Sequence, residues 1–185
     1  MRKNFGAKPF LYPQPVFIIG SYDENGTPDA MNAAWGGISE ADEISMCLSA
    51  GHKTVKNILA RKAFTISMAT ADTVASCDYV GLVSGNNVAD KLEKAGFHTE
   101  KSEFVDAPII TELPLTIECA LISYDSETCR MVGKIVNVCA EESILIDGKI
   151  DPMKLRPITF DGVNNAYHVL GEKVGDAFKA GAALK

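Results

Sequence analysis

The chain has 185 residues, of which 46% are hydrophobic and 23% charged, a balance that excludes a disordered or fibrous chain and suits one ordinary domain. Eighteen basic side chains against 24 acidic ones leave a net charge of −6; without a long basic block such a chain is not expected to bind nucleic acid, where phosphate neutralisation dominates affinity. No apolar run approaches the roughly 18 residues that cross a bilayer, so no membrane partner is expected, while a small anion held in one local basic pocket stays open.

Arg2, Lys3 and Lys8 precede the apolar Val16-Phe17-Ile18-Ile19, but Pro9, Pro13 and Pro15 interrupt the stretch. The apolar piece is too short for the core of a signal peptide, so it reads as an irregular lead-in to a strand in a cytoplasmic chain. Val16 to Tyr22, β-branched and aromatic, predicts that strand, ending at Asp23-Glu24-Asn25-Gly26. Asn-Gly is the strongest short hairpin signal because both residues tolerate positive φ, and the return strand then runs through Asp29 to Ala34. Ile44 to Ser49 predicts a third strand with Ile44, Met46 and Leu48 on one face. After Ser49-Ala50-Gly51-His52-Lys53-Thr54 comes a helix with Val55, Ile58 and Leu59 on its apolar stripe. Thr54 is placed to cap the first turn, and Lys56, Arg61 and Lys62 face outward. Ala63 to Ala69 alternates as a further strand.

Asp72 to Val83 and Asn87 to Ala95 read as helices, the second with Val88, Leu92 and Ala95 on one stripe and a stop at Gly96. Two long alternating strands follow, Thr116 to Tyr124 and Met131 to Ala140, joined by a turn over Asp125 to Thr128. Ile144 to Ile146, a turn at Asp147-Gly148 and the region of Pro152 and Pro157 complete the sheet side, and a helix from Glu172 through Ala183 closes the chain. Hairpins require antiparallel pairing, and no regular βαβ alternation exists. The expected fold is therefore mostly β, an antiparallel barrel with helical insertions that leaves few open edges, in a single domain over residues 1–185.

The five cysteines, Cys47, Cys77, Cys119, Cys129 and Cys139, are odd in number and scattered, which argues against a disulfide framework or a zinc site and for reduced thiols acting as small hydrophobes. His52, His98 and His168 are too dispersed for a metal site. No Gly-x-Ser-x-Gly elbow supports a hydrolase triad.

Three segments carry chemistry. In Ser49 to Asn57 a strand ends in small residues and a helix begins, whose first N–H groups lack internal partners and suit a phosphate. Ser49 and Thr54 add hydroxyls there and Lys53 a charge; the plain alternative is a capped helix with a solvated lysine. Asn32-Ala33-Ala34-Trp35-Gly36-Gly37 places the one tryptophan after small residues whose backbone donors suit the polar edge of a flat heteroaromatic ring. Trp35 either borders that ring or is a core residue at a barrel rim. Ser84-Gly85-Asn86-Asn87 leads to Asp90-Lys91, which puts Lys91 one turn into a helix, within reach of an anion; the alternative is a surface helix with an Asp90–Lys94 pair. Tyr167-His168 either faces a pocket or packs the last strand against the closing helix.

Together these segments resemble the flavin reductase family with the FMN-binding split barrel, specifically its flavoredoxin-like branch. The resemblance runs through Pro15-Val16, Asn25-Gly26, Asn32 to Trp35, the strand leading to Thr54, Ser84-Gly85 with Asp90-Lys91, and Ala107-Pro108-Ile109-Ile110. It continues in Leu115 to Cys119, Val132-Gly133-Lys134-Ile135, and Tyr167 with Leu170-Gly171. It implies a split β-barrel homodimer holding FMN near the subunit interface, with NAD(P)H or a redox partner protein as electron source. By the same resemblance Met31, Asn32, Ala33, Ala34 and Trp35 line the isoalloxazine, while Ser49, Lys53 and Thr54 hold the phosphate in a segment that includes Leu48, Ala50 and His52. Lys91 reaches the FMN, and Ser84 and Gly85 shape the nearby loop. Met31 stands where the family often has a hydroxyl residue. The flavin performs the electron transfer, so no protein nucleophile is needed. A non-catalytic module that stores FMN is the alternative function.

Overall fold

The structure, a computed structural model, describes residues 1–184. Its strands and helices run β1 (Phe17–Tyr22), β2 (Pro28–Ala33), β3 (Gly36–Glu40), β4 (Glu43–Cys47), α1 (Lys53–Arg61), β5 (Ala63–Met68), α2 (Val74–Leu82) and α3 (Lys91–Ala95). They continue with β6 (Thr99–Lys101), β7 (Pro108–Ile110), β8 (Leu115–Asp125), β9 (Arg130–Ala140), β10 (Leu145–Ile146), β11 (Lys149–Ile150), α4 (Pro152–Leu155), β12 (Ile158–Asp161) and β13 (Ala166–Val169).

The main sheet has seven strands in the order β2-β1-β5-β8-β9-β4-β3, and every neighbouring pair is antiparallel. Its two edges, β2 and β3, are consecutive in the chain with only Ala34 and Trp35 between them. The sheet therefore curls into a half-barrel whose two edges are joined at one end by that short connection, the antiparallel split barrel expected from the sequence. The Trp35 carbonyl accepts from the Cys47 N–H at 2.8 Å, which carries the β3–β4 ladder back to that junction. Gly36 permits the contact, since a Cβ there would lie 2.7 Å from the Ser45 carbonyl oxygen.

Alternation along β1 divides the core in two. Phe17 and Ile19 join Ile44, Met46, Leu48, Phe64, Ile66 and Met131 in one cluster, which Val55 and Ile58 of α1 complete. Val16 and Ile18 point the other way, to Val80 of α2, Leu92 of α3, Phe97, Ile110 and Ile158. Each such side chain removed from water contributes roughly 1.5–3 kcal/mol. The outer face also buries polar groups: Ser67 bonds Thr116 at 2.7 Å, and Glu118 accepts from Ser102 and from Asn137.

Several expectations change. His52, not Thr54, is the N-cap of α1, because the Thr54 side chain turns inward; Leu59, expected on the apolar stripe, is exposed. Arg61 does not point freely to solvent but donates to the Asp23 and Glu24 carbonyls and to Asp106, tying α1 to the β1–β2 turn. The stretch from Asp72 to Val83 begins as a 3₁₀ turn at Ala71–Thr73 before α2. The helix expected from Asn87 begins only at Lys91, since Ser84 takes up the N–H groups of Asn86, Asn87 and Val88 in local turns. Among the described residues from Glu172 onward, the only regular structure is a 3₁₀ turn at Ala180–Leu184. Val174 and Phe178 there are fully exposed, and a helix without a face to bury is marginal. The strands β3, β6, β7 and β12 were not anticipated.

Candidate functional site

Two adjoining cavities lie where β2 leaves the barrel wall. The larger, about 420 Å³, is lined by Met31, Asn32, Ala33, Ala34, Trp35, Cys47, Leu48, Ser49, His52, Phe160 and Tyr167. The smaller, about 230 Å³, is lined by residues that include Asp29, Lys53, Thr54, Ser84, Gly85 and Lys91, and it shares Met31, Asn32 and His52 with the first. The two form one elongated cleft, apolar and aromatic at one end, charged at the other. Every expected site residue lines it except Ala50, which sits in the exposed turn before α1 and reaches neither cavity.

The aromatic end is built by the β2–β3 junction, the end of β4 and the β12–β13 hairpin. Trp35 is 54% exposed, which removes the alternative of a core tryptophan. In the same lining, Phe160 and Tyr167 meet at a 50° tilt with ring centroids 5.9 Å apart. The Tyr167 hydroxyl donates to Asp78 of α2 at 2.7 Å; burial, then that bond, pushes the phenol up to about 12. Tyr167 therefore faces the cavity rather than a closing helix, while exposed His168 lies 3.5 Å from Asp161. Asp161 accepts from Tyr12, Asn164 and the Val163 N–H, and these bonds hold its carboxyl well below the usual range.

The charged end is more tightly organised. At the start of α1 the cap residue His52 gives no side-chain hydrogen bond and the first turn has no acid, so nothing acidic from the first turn competes for the opening N–H groups. Lys53 lies 3.5 Å from Asp23. Partial burial raises the Asp23 carboxyl, but the N–H groups of Thr27 and Asn25 and the Lys53 charge outweigh it and leave it lowered. Deeper in, Asp29 of β2 accepts from the Thr54 hydroxyl at 3.2 Å and pairs with Lys91 at 3.0 Å. Lys91 is thus not a free surface cation one turn into a helix; its ammonium is buried and also donates to the Val83 carbonyl at 3.4 Å.

Sequence reasoning missed Asp29, Cys47 and Phe160 as lining residues, and left open whether Tyr167 faces a pocket or the closing helix. Phe160 and Tyr167 carried a legible signal, since Asp161-Gly162-Val163-Asn164-Asn165 is turn chemistry between two short alternating runs. Asp29 carried none, because its partner Lys91 is brought to it only by the packing of α3 on β2. All five cysteines are free thiols; burial pushes Cys119 up to about 12, and burial and then Glu118 push Cys139 up to about 11. Among the described residues no cluster of His, Cys, Asp or Glu is arranged to hold a metal ion, and no helix is long and apolar enough to cross a membrane.

The flavin reductase like domain model matches residues 10–152. The flavoredoxin of Desulfovibrio vulgaris (Miyazaki F) is 38% identical, and the match covers 98% of this chain and 100% of that one with a TM-score of 0.94. A flavoredoxin from Methanosarcina acetivorans is 28% identical over 100% of both chains, with a TM-score of 0.91. An FMN-binding domain of a flavin reductases-like enzyme from Shewanella baltica OS155 shares the fold at 18% identity, with a TM-score of 0.78 over 88% of this chain and 89% of that one.

Proposed function

Because the chain belongs to the flavin reductase like domain family, we propose that it binds FMN in the joined cavities and moves electrons from NAD(P)H or a redox partner protein to an acceptor. One observation carries the reading: an aromatic cavity adjoins, across the shared Met31, Asn32 and His52, a second one lined by Lys53, Thr54, Ser84 and Lys91. That polarity matches a flat amphipathic ring joined to a phosphate. Bound FMN supplies the electron- and hydride-accepting ring.

The chain's own residues bind and orient. Trp35 and the Phe160–Tyr167 pair wall the ring, and the backbone of Met31 to Ala34 offers donors along its polar edge. The opening N–H groups of α1, with Ser49, His52, Lys53 and Thr54, receive the phosphate. Tyr167, held neutral and bonded to Asp78, keeps its ring fixed against the cavity rather than supplying a proton. A homodimer forms part of the proposal, supported by exposed Trp35, which lines the larger cavity, and by exposed Ile38 on the neighbouring edge strand β3; sedimentation at micromolar concentration is expected to give twice the chain mass.

The test is an anaerobic titration. FMN added to the protein is expected to give a saturable change in the flavin absorbance, and NADH or NADPH to bleach it. Failure to take up FMN overturns the proposal. Uptake with bleaching by dithionite but by neither nicotinamide selects the partner-fed carrier, and uptake with no acceptor ever reduced selects the storage module.

A further inference from the structure

Lys91 and Thr54 both line the smaller cavity, and both already serve one acceptor there, the Asp29 carboxylate. Asp29 and Lys91 are each only 4% exposed at the side chain. The loop after α2 closes over them so tightly that a Cβ on Gly85 would lie 2.4 Å from Asp29 Oδ1. A buried ion pair of this kind is weak evidence for stability, since the desolvation cost consumes most of the attraction. Its place in the cleft has a more direct consequence. The carboxylate presents oxygen acceptors to a cation and a hydroxyl that a phosphate entering beside α1 would also use.

We infer that Asp29 is a built-in anion that competes with the cofactor's phosphate, so that it sets how much the phosphate adds to flavin affinity. This rests on the proposed FMN binding and deepens it. With Asp29 ionised, the Asp29–Lys91 pair has no net charge, and an incoming phosphate meets like-charge repulsion from the carboxylate at short range. A neutral side chain of similar shape leaves Lys91 and Thr54 an acceptor but frees the lysine's charge for the phosphate. The ring end, built by Trp35, Phe160 and Tyr167, is untouched by that change.

The test compares FMN with riboflavin, which has the same ring and no phosphate, on wild-type protein and on Asp29→Asn by fluorescence titration. The expected result is FMN affinity raised about tenfold or more while riboflavin affinity moves less than about twofold. Asp29→Ser, shorter and clear of the Gly85 backbone, is expected to raise the same ratio, and it gives the reading should the asparagine variant not fold. FMN affinity unchanged or lowered in the folded variant overturns the assignment, as does an equal gain for both flavins. Wild-type protein that takes up neither flavin overturns the functional proposal and this inference with it. Uptake of both by the wild type, with no change in the ratio on neutralising Asp29, removes the inference alone.

Discussion

The two ends of the cleft are made by different physics. At the aromatic end the walls come from backbone topology: β2 crosses to β3 through Ala34-Trp35, the β12–β13 hairpin brings Phe160 and Tyr167, and Trp35 stands 54% exposed. At the charged end the walls are desolvated groups that satisfy one another, with Asp29 accepting from Thr54 and pairing with Lys91, all three buried. A site of the first kind gains order when something fills it, whereas one of the second kind is ordered beforehand and must exchange existing partners for new ones. Stability and binding should therefore separate: damage to the charged end unfolds the protein, and damage to the aromatic end mainly loosens a ligand.

The strongest test is Lys91→Met. It removes one member of a pair whose side chains are each 4% exposed and leaves a buried carboxylate without its cation, a loss of about 3–5 kcal/mol. Urea unfolding should show the midpoint falling with little change in slope. A loss below about 1 kcal/mol would mean that Asp29 is effectively solvated, and the contrast between the two ends would lapse.

At the aromatic end Tyr167→Phe keeps the ring and deletes only the 2.7 Å bond to Asp78, at an expected cost of about 1–2 kcal/mol. The sign with pH is also set. The folded phenol is raised from 10.0 to about 12, so its contribution is complete below the unfolded value and disappears as pH climbs through that interval. Alkaline denaturation curves of wild type and variant should converge there.

The same hairpin has an acid-side counterpart in Asp161. Bonds from Tyr12, Asn164 and the Val163 N–H lower its carboxyl below the ordinary 3.8. The unfolded chain therefore takes up the proton first as pH falls below about 4, and the stabilisation present above that value is lost as pH drops toward the depressed folded one. Asp161→Asn should flatten the acid limb of a melting-temperature profile by lowering the neutral plateau, so that the variant and wild type differ most near neutral pH and converge as pH drops. A steep limb retained in the variant would assign it to other carboxylates.

What the sequence made legible follows the range of the interactions. The alternation of Ile44, Met46 and Leu48, buried at 1%, 2% and 2%, and the Asn25-Gly26 turn are short-range signals that packing then reinforced. The cleft lining from Met31 to Trp35 and from Leu48 to Thr54 was readable for the same reason, since each is one continuous segment at the end of a strand. Thr54 shows the limit: a hydroxyl before an apolar stripe reads as a cap, yet the hydroxyl is spent on Asp29, which sequence spacing could not indicate. Lys91 likewise reads as a surface cation until α3 is folded against β2. The tail after Gly171 was misread because helical composition says nothing about whether a face exists to bury it.

Trp35→Ala should have the smallest effect on stability and so sharpens the contrast most. A tryptophan in a core costs about 3–5 kcal/mol to truncate, but this one is 54% exposed and belongs to neither apolar cluster, so the expected loss is below about 1 kcal/mol. Its exposure also separates two effects that would be confounded at a buried position. If the ring rests on Trp35, riboflavin and FMN should both weaken by a similar factor, since the contact involves no phosphate, while the melting temperature barely moves. A large drop in melting temperature would instead show that Trp35 braces the junction between β2 and β3. Flavin affinity held at the wild-type level would place the ring elsewhere along the cleft, against Phe160 and Tyr167 alone.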